Sequence, residues 1–171
     1  MAIEGLSVLI VDDHALVRRI VAEVLRSAGV ASLREAEDAN AAWDEIKIRV
    51  PDIAILDLSM PHDGMQLLHR IRRDPTSPDR ELPVIVLTGH SDRRRVTGAR
   101  DGGATEIVAK PVAIATLLQK VGAVIDRPRP FVLDPSFVGP DRRRRKGGDY
   151  SGPRRRASER QSAKGDFWEV E

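Results

Sequence analysis

The chain has 171 residues, a net charge of +2 and no cysteine. This length supports one domain with its own core and a shorter additional segment, and it excludes two domains of ordinary size. The lack of cysteine excludes disulfides, thiolate metal sites and a thiol nucleophile. The apolar runs are too short to cross a membrane, and the first residues lack the basic start of a signal peptide. We therefore expect a cytoplasmic protein without membrane insertion.

Short apolar runs alternate with amphipathic segments over residues 6–125. The apolar runs predict five strands, at residues 7–11, 32–36, 53–58, 84–88 and 106–108. Helical periodicity predicts a helix after each strand: one that ends at Gly29, and then helices at residues 39–49, 65–73, 92–100 and 114–125. Nearly continuous apolar strands that alternate with helices are typical of an α/β fold, in which helices cover both faces of a parallel sheet.

Charged and hydroxyl side chains occur where four of these strands end. Asp12 and Asp13 follow the first strand and Asp57 lies at the end of the third. Thr88 ends the fourth, and Lys110 comes shortly after the fifth. Ligands of such sheets bind outside the carboxyl ends of the strands, so we expect one site here. Clustered carboxylates are costly without a cation, and Mg²⁺ suits a site of a few carboxylates, waters and phosphate oxygens.

Four motifs in this order and spacing, VLIVDD, DIAILDLSMPHDG, PVIVLTGH and AKP, resemble the receiver domain of two-component response regulators. The resemblance covers about residues 5–126. It implies a flavodoxin-like (βα)5 fold, a doubly wound parallel sheet of five strands in the order 2-1-3-4-5. A receiver domain over residues 1–126 is the expectation that follows.

The resemblance also implies a role for each polar residue of the site. Asp57 would be the phosphoacceptor. Mg²⁺ or Mn²⁺ would be held by Asp12, Asp13, Asp57 and the backbone carbonyl of Ser59. Lys110 would pair with phosphoryl oxygens, Thr88 would move to hydrogen-bond one of them, and Pro111 would follow a cis peptide bond that aims Lys110.

Two positions depart from the family pattern. Many receivers carry an aromatic residue three positions before the lysine, where this chain has Ile107, and another after the Lys-Pro pair, where it has Val112. We therefore expect the output to be switched by repacking of Ile107 or by the loop at residues 89–92. His90, two residues after Thr88, is a candidate for tuning hydrolysis of the phosphoryl group, with an ordinary surface position as the alternative.

The function that the resemblance implies is that of a stand-alone bacterial response regulator. It would take a phosphoryl group from a sensor histidine kinase or a phosphotransfer protein and signal to an output protein, as a switch and not as an enzyme. An acid-phosphatase-like hydrolase is a rival. It is disfavoured because Ser59 stands where such an enzyme has its second acid, two residues after Asp57. A phosphorylation-independent docking module is a further alternative, and phosphorylation-dependent homodimerisation is left open.

Residues 127–171 form a basic tail. They carry 12 Lys and Arg residues against 7 Asp and Glu residues, whereas residues 1–126 carry 16 against 19. Their apolar residues are too sparse for a core, so we expect a largely irregular, disordered segment. The motif aromatic-x-Gly-Pro-x-Arg-Arg occurs in it twice, in FVGPDRRR and YSGPRRR.

Three interpretations of this tail stay open. It is a solvated segment without a partner, a nucleic-acid-binding segment in which arginines neutralise phosphates and aromatic rings stack on bases, or a segment that docks to a protein. The repeated motif favours a protein partner. The candidate contact residues are Phe137, Arg142, Arg143, Arg144, Tyr150, Arg154, Arg155 and Trp168.

Overall fold

The computed structural model describes residues 3–60, 64–89 and 93–142. The main sheet has strands β1 (Ser7–Val11), β2 (Ser32–Ala36), β3 (Ile53–Asp57), β4 (Val84–Gly89) and β5 (Glu106–Lys110). The helices between and after them are α1 (Ala15–Ser27), α2 (Ala39–Ile48), α3 (Gly64–Arg73), α4 (Arg93–Asp101) and α5 (Ile114–Asp126). None of the helices in these ranges combines the length and apolar character that a bilayer span requires.

All five strands are parallel and lie in the order β2-β1-β3-β4-β5. This confirms the predicted flavodoxin-like fold. Val8 of β1 pairs with Leu33 on one side and with Ile53 on the other. β2 lies on one side of β1, and β3, β4 and β5 follow on the other side. Because the strand order reverses between β1 and β3, a crevice forms above their carboxyl ends. β5 extends two residues further than expected, and Lys110 is its last residue.

Two apolar layers hold the helices against the sheet. Leu9 and Val11 face the layer that contains Trp43 of α2 and residues of α3 and α4. Val8 and Ile10 face the opposite layer, which contains residues of α1 and α5. Alternate residues of β1 therefore serve different cores, which explains why its sequence is continuously apolar. The same burial extends over all five residues of β3 and places Asp57 inside the protein.

Residues 131–140 are not irregular, and the prediction of irregular structure after residue 126 is wrong there. They form an antiparallel hairpin of β6 (Phe131–Asp134) and β7 (Phe137–Pro140). The compact unit that contains the sheet continues through this hairpin to Asp141. A two-stranded hairpin is marginal by itself, and this one is supported by the surface on which it packs.

Arg72 of α3 supports the hairpin from within the domain. Its side chain is fully buried, and its guanidinium donates from Nε to the Gly103 carbonyl at 2.9 Å and from Nη1 to the Arg80 carbonyl at 2.7 Å. The guanidinium carbon also lies 5.4 Å from the centre of the Phe131 ring. Burial lowers the pKa of Arg72 to about 10, against the opposing effect of Asp79 and Glu81. The group therefore stays charged at neutral pH.

The hairpin approaches the domain backbone to backbone at Gly103. A Cβ atom on Gly103 would lie 2.5 Å from the Val138 carbonyl oxygen, and the residue has a φ of 94°. Gly139 has the same constraint from the other side, since its Cβ would lie 2.6 Å from the Gly103 Cα. Two glycines thus permit a contact that any side chain would block.

Candidate functional site

The ends of β1, β3 and β5 bring together two buried carboxylates and one ammonium group. Asp12 and Asp57 are both 0% exposed. Lys110 Nζ lies 3.0 Å from Asp12 Oδ2 and 2.9 Å from Asp57 Oδ2. One cation therefore bridges two buried carboxylates and offsets the cost of burying their charge.

The charge state of Lys110 follows from these contacts. Burial of the side chain lowers its pKa, but the hydrogen bonds and charges of Asp57 and Asp12 outweigh that effect and raise the pKa above its usual 10.5. Lys110 is therefore a permanent positive charge at neutral pH. It is placed where an anionic group bound at Asp57 would also be neutralised.

Backbone N–H groups orient the two buried carboxylates. The His14 N–H donates to Asp12 Oδ1 at 2.8 Å, and the Ser59 N–H donates to Asp57 Oδ1 at 2.8 Å. Each bond runs from the residue two positions later, the local pattern by which an aspartate fixes a turn. Arg18 adds a bond from Nη1 to the Asp12 carbonyl at 2.6 Å. The carboxylates are thus held in place by the loops that follow their strands.

Four side chains at this edge each offer one ligand atom, and these atoms all lie within 4.8 Å of one another. They belong to Asp12, Asp13, His14 and Asp57. Three carboxylates face one ammonium group, so the site carries excess negative charge, and its oxygen donors are those that Mg²⁺ and Mn²⁺ accept. This donor set fits a divalent cation. His14 was not assigned to the site from the sequence, because its position directly after Asp13 is not a recognised ligand spacing.

Thr88 contributes a hydroxyl group near the end of β4. The residue is 1% exposed, and within the described ranges Oγ1 has no hydrogen-bond partner. It pairs in register with Ala109, and its neighbour Gly89 pairs with Lys110. A buried hydroxyl without a partner usually has a ligand or a water as its missing partner.

The remaining expected site residues have varied surroundings. The Lys110–Pro111 peptide bond is cis. Ile107 is half-buried against the layer formed with α2, α3 and α4, and Val112 packs against the opposite layer. Phe137 is buried in the hairpin and Arg142 is half-buried. The other expected residues lie outside the described residues: His90, Arg143, Arg144, Tyr150, Arg154, Arg155 and Trp168.

Gly64 is a further residue on which the site depends. It begins α3, and a Cβ atom there would lie 2.5 Å from the Asp57 carbonyl oxygen and 2.9 Å from the Leu58 Cα. The helix therefore starts in direct contact with the backbone that carries Asp57. The Asp-Gly pair in DLSMPHDG is the sequence signal for this contact, although the sequence alone does not show what the glycine approaches.

Comparison with known proteins agrees with this geometry. The family model of the response regulator receiver domain matches residues 8–122. The chain is 36% identical over 121 residues to the transcriptional regulatory protein PdtaR of Mycobacterium tuberculosis, which covers 70% of this chain and 57% of PdtaR. It is 33% identical over 125 residues to the chemotaxis protein CheY-3 of Vibrio cholerae. This alignment covers 72% of this chain and 95% of CheY-3.

Solved structures are similar over the same region. A candidate response regulator from Chloroflexus aurantiacus has a TM-score of 0.66 and 31% identity to this chain. The alignment covers 72% of this chain and 100% of the Chloroflexus protein. The chemotaxis protein CheY4 of Vibrio cholerae has a TM-score of 0.64 and 27% identity, covering 70% of this chain and 98% of its own. The similarity therefore concerns the sheet and its helices, and it spans little more than half of PdtaR.

Proposed function

The chain belongs to the family of response regulator receiver domains, and we propose that it is a signalling switch that accepts a phosphoryl group on Asp57. The observation that carries this proposal is the Lys110 ammonium group, 3.0 Å from Asp12 and 2.9 Å from Asp57, at the carboxyl edge of the sheet. Phosphoryl transfer needs a positioned nucleophile and neutralisation of the transferred charge. This arrangement supports both requirements.

The proposed donor is the phosphohistidine of a sensor kinase or of a phosphotransfer protein. A carboxylate oxygen of Asp57 attacks phosphorus, so that a P–O bond forms while the P–N bond breaks and the imidazole nitrogen takes up a proton. Lys110 stays beside Asp57 and neutralises a phosphoryl oxygen. The Thr88 hydroxyl, to which the described residues offer no hydrogen-bond partner, donates a hydrogen bond to another oxygen of the same group.

A divalent cation completes the proposed chemistry. Asp12, Asp13, Asp57 and the backbone carbonyl of Ser59 are the residues that would hold it. When bound, Mg²⁺ or Mn²⁺ supplies additional neutralisation of the transferred oxygens. The fixed orientation of Asp12 and Asp57 by backbone N–H groups supports this assignment, since it keeps carboxylate oxygens at the site before any ion enters.

The proposed output is an altered protein surface. Ile107 pairs in register with Val86, two residues before Thr88, and packs against the layer under α4. Movement of Thr88 towards a phosphoryl oxygen would repack that neighbourhood and change what an output protein contacts. We propose that this takes place in the cytoplasm and ends by hydrolysis of the aspartyl phosphate, with His90 as a residue that tunes the rate.

Nucleic-acid binding through residues 127–171 is the second candidate function. It is favoured by their 12 basic against 7 acidic residues, and the relative PdtaR is named a transcriptional regulatory protein. Binding of the full chain to generic nucleic acid would support this function if the affinity falls steeply as the salt concentration rises. No binding even at low salt would exclude it.

Transfer of radiolabelled phosphate from a phosphohistidine protein tests the proposed function. We expect label on the wild type and on the Asp44→Asn control, in which an exposed carboxylate of α2 is neutralised. We expect no label on Asp57→Asn. Hydroxylamine cleaves acyl phosphates, so it should remove the label from the wild type and from the control. Equal labelling of the Asp57→Asn variant would contradict the proposal.

A further inference from the structure

His14 lies at the rim of the carboxylate cluster, with a ring nitrogen turned towards it. His14 Nδ1 is 2.8 Å from Asp13 Oδ1 and 3.5 Å from Asp12 Oδ1. Adjacent ligands on an octahedral ion with bonds of about 2.1 Å lie about 3 Å apart. The nitrogen therefore lies at the separation of adjacent ligands from Asp13 Oδ1, to which it is hydrogen-bonded, and slightly further from Asp12 Oδ1.

The backbone of His14 is held firmly, whereas its ring is held by a single exposed hydrogen bond, from Nδ1 to Asp13 Oδ1 at 2.8 Å. The residue is the N-cap of α1, its N–H donates to Asp12 Oδ1, and its side chain makes no capping hydrogen bond. The side chain is 68% exposed and has no place in either apolar layer. To bind an ion, Nδ1 would give up its hydrogen bond to Asp13 and present its lone pair, with the ring proton on Nε2, and neither α1 nor the core would be disturbed.

We propose that His14 Nδ1 is a ligand of the divalent ion at this site, and that it shifts the preference of the site away from Mg²⁺ and towards transition metal ions. The inference rests on the metal site of the proposed function. Mg²⁺ strongly prefers oxygen ligands, whereas a neutral imidazole nitrogen raises affinity along the order from Mn²⁺ to Co²⁺ and Ni²⁺. A site of carboxylates alone follows the same order less steeply.

The test compares metal binding by the full-length wild type and the His14→Gln variant. Glutamine keeps a polar side chain at an exposed position and offers an oxygen that Mg²⁺ accepts. Calorimetric titration should show Co²⁺ affinity falling by about tenfold or more in the variant, the range expected when a metal site loses one of its partners, while Mg²⁺ affinity changes little. The His69→Gln variant, which removes an exposed histidine of α3, should match the wild type for both ions.

Pulsed electron paramagnetic resonance of Mn²⁺-loaded protein provides the second readout. We expect coupling of the manganese to an imidazole nitrogen in the wild type and in His69→Gln, and its loss in His14→Gln. Nitrogen coupling that persists in His14→Gln would assign the ligand to another histidine and overturn the inference. No nitrogen coupling in the wild type, or parallel losses of Co²⁺ and Mg²⁺ affinity, would overturn it as well.

Failure of the inference is distinguishable from failure of the proposed function. Mn²⁺ that binds without nitrogen coupling, in a protein that is still phosphorylated on Asp57 with Mg²⁺, removes the role of His14 alone. A wild-type chain that binds no divalent ion would remove the metal site itself, and with it the proposed mechanism of phosphorylation.

Discussion

Lys110 is the residue on which the charge balance of the site depends. It contacts both buried carboxylates, and its own pKa is raised by them after the opposing effect of burial. A second cation at the same place would compete with it or replace it. We therefore expect the stability of the fold and the binding of a divalent ion to be coupled through this side chain.

The Lys110→Met variant should reveal this coupling. Without a divalent ion, Asp12 and Asp57 lose their shared partner, and we expect the free energy of unfolding to fall by about 3 kcal/mol. Added Mg²⁺ should raise the melting temperature of the variant more than that of the wild type, as measured by calorimetry. In the control Lys120→Met, which breaks a pair with Glu106 alone, the response to Mg²⁺ should equal that of the wild type. An unchanged Mg²⁺ response in Lys110→Met would contradict the coupling.

The pH dependence of stability gives a second prediction for the same residue. A lysine whose pKa is raised by folding stabilises the protein fully below its unfolded pKa of 10.5, and this contribution is lost as the pH rises through the higher folded value. The difference in unfolding free energy between wild type and Lys110→Met should therefore stay constant from neutral pH upward and shrink only above pH 10.5. Urea titrations along a pH series measure it, and shrinkage already near neutral pH would disprove the assignment.

At the scale of the secondary-structure elements, the start of α3 contacts the backbone of Asp57, the proposed phosphoacceptor. Its first residue, Gly64, leaves no room for a Cβ atom beside the Asp57 carbonyl. α4 has no such constraint at Gly98, where an added Cβ would have nothing within 4 Å. The two glycines form a matched pair of positions within helices, one at the site and one away from it.

Alanine at these two positions should therefore have opposite effects. Gly64→Ala forces the start of α3 away from β3, and we expect a loss of about 2 kcal/mol in stability together with slower phosphorylation of Asp57. Gly98→Ala should raise stability by up to about 1 kcal/mol, because alanine favours a helix over glycine. Urea denaturation and the rate of phosphorylation measure both effects. Equal behaviour of the two variants would show that the contact at Gly64 is unimportant.

The hairpin of β6 and β7 packs on a surface that Arg72 helps to hold in place. Arg72→Met leaves the carbonyls of Gly103 and Arg80 without their buried donor, and we expect a loss of about 3 kcal/mol in stability. Hydrogen exchange should become faster in Arg72→Met than in the wild type, and the increase should be larger for the hairpin amides than for the β3 amides. The neighbouring exposed residue supplies the control, since Arg73→Met should change stability by less than about 0.5 kcal/mol. Unchanged protection of the hairpin in Arg72→Met would contradict this account.

At the scale of the whole molecule, periodic patterns in the sequence predicted the strands and helices of the sheet domain well. They did not predict contacts between residues that are far apart in the chain. Continuous apolar strands that alternate with helices were sufficient to predict a five-stranded parallel sheet, whereas its strand order was predicted from the resemblance to receiver domains. The hairpin was missed because its support comes from Arg72 and Gly103, which lie far from it in the sequence. The position of His14 beside the carboxylates was missed because it depends on the conformation of the loop after β1, which no periodic pattern records.

The two ends of β5 summarise the resulting organisation. Its first residue, Glu106, pairs with Arg129 just before the hairpin, and its last residue, Lys110, reaches the carboxylates of the site. The hairpin and the proposed phosphoacceptor therefore lie at opposite ends of one strand. Residues 127–141 belong to the same compact unit as the sheet.

The most direct test of the central claim is the intact mass of the protein after incubation with a small phosphodonor, with and without Mg²⁺. We predict that the wild type gains one phosphoryl group only when Mg²⁺ is present, and that Asp57→Asn gains none under either condition. Addition of a phosphoryl group to the Asp57→Asn variant, or addition to the wild type at the same rate without a divalent ion, would contradict the proposed switch.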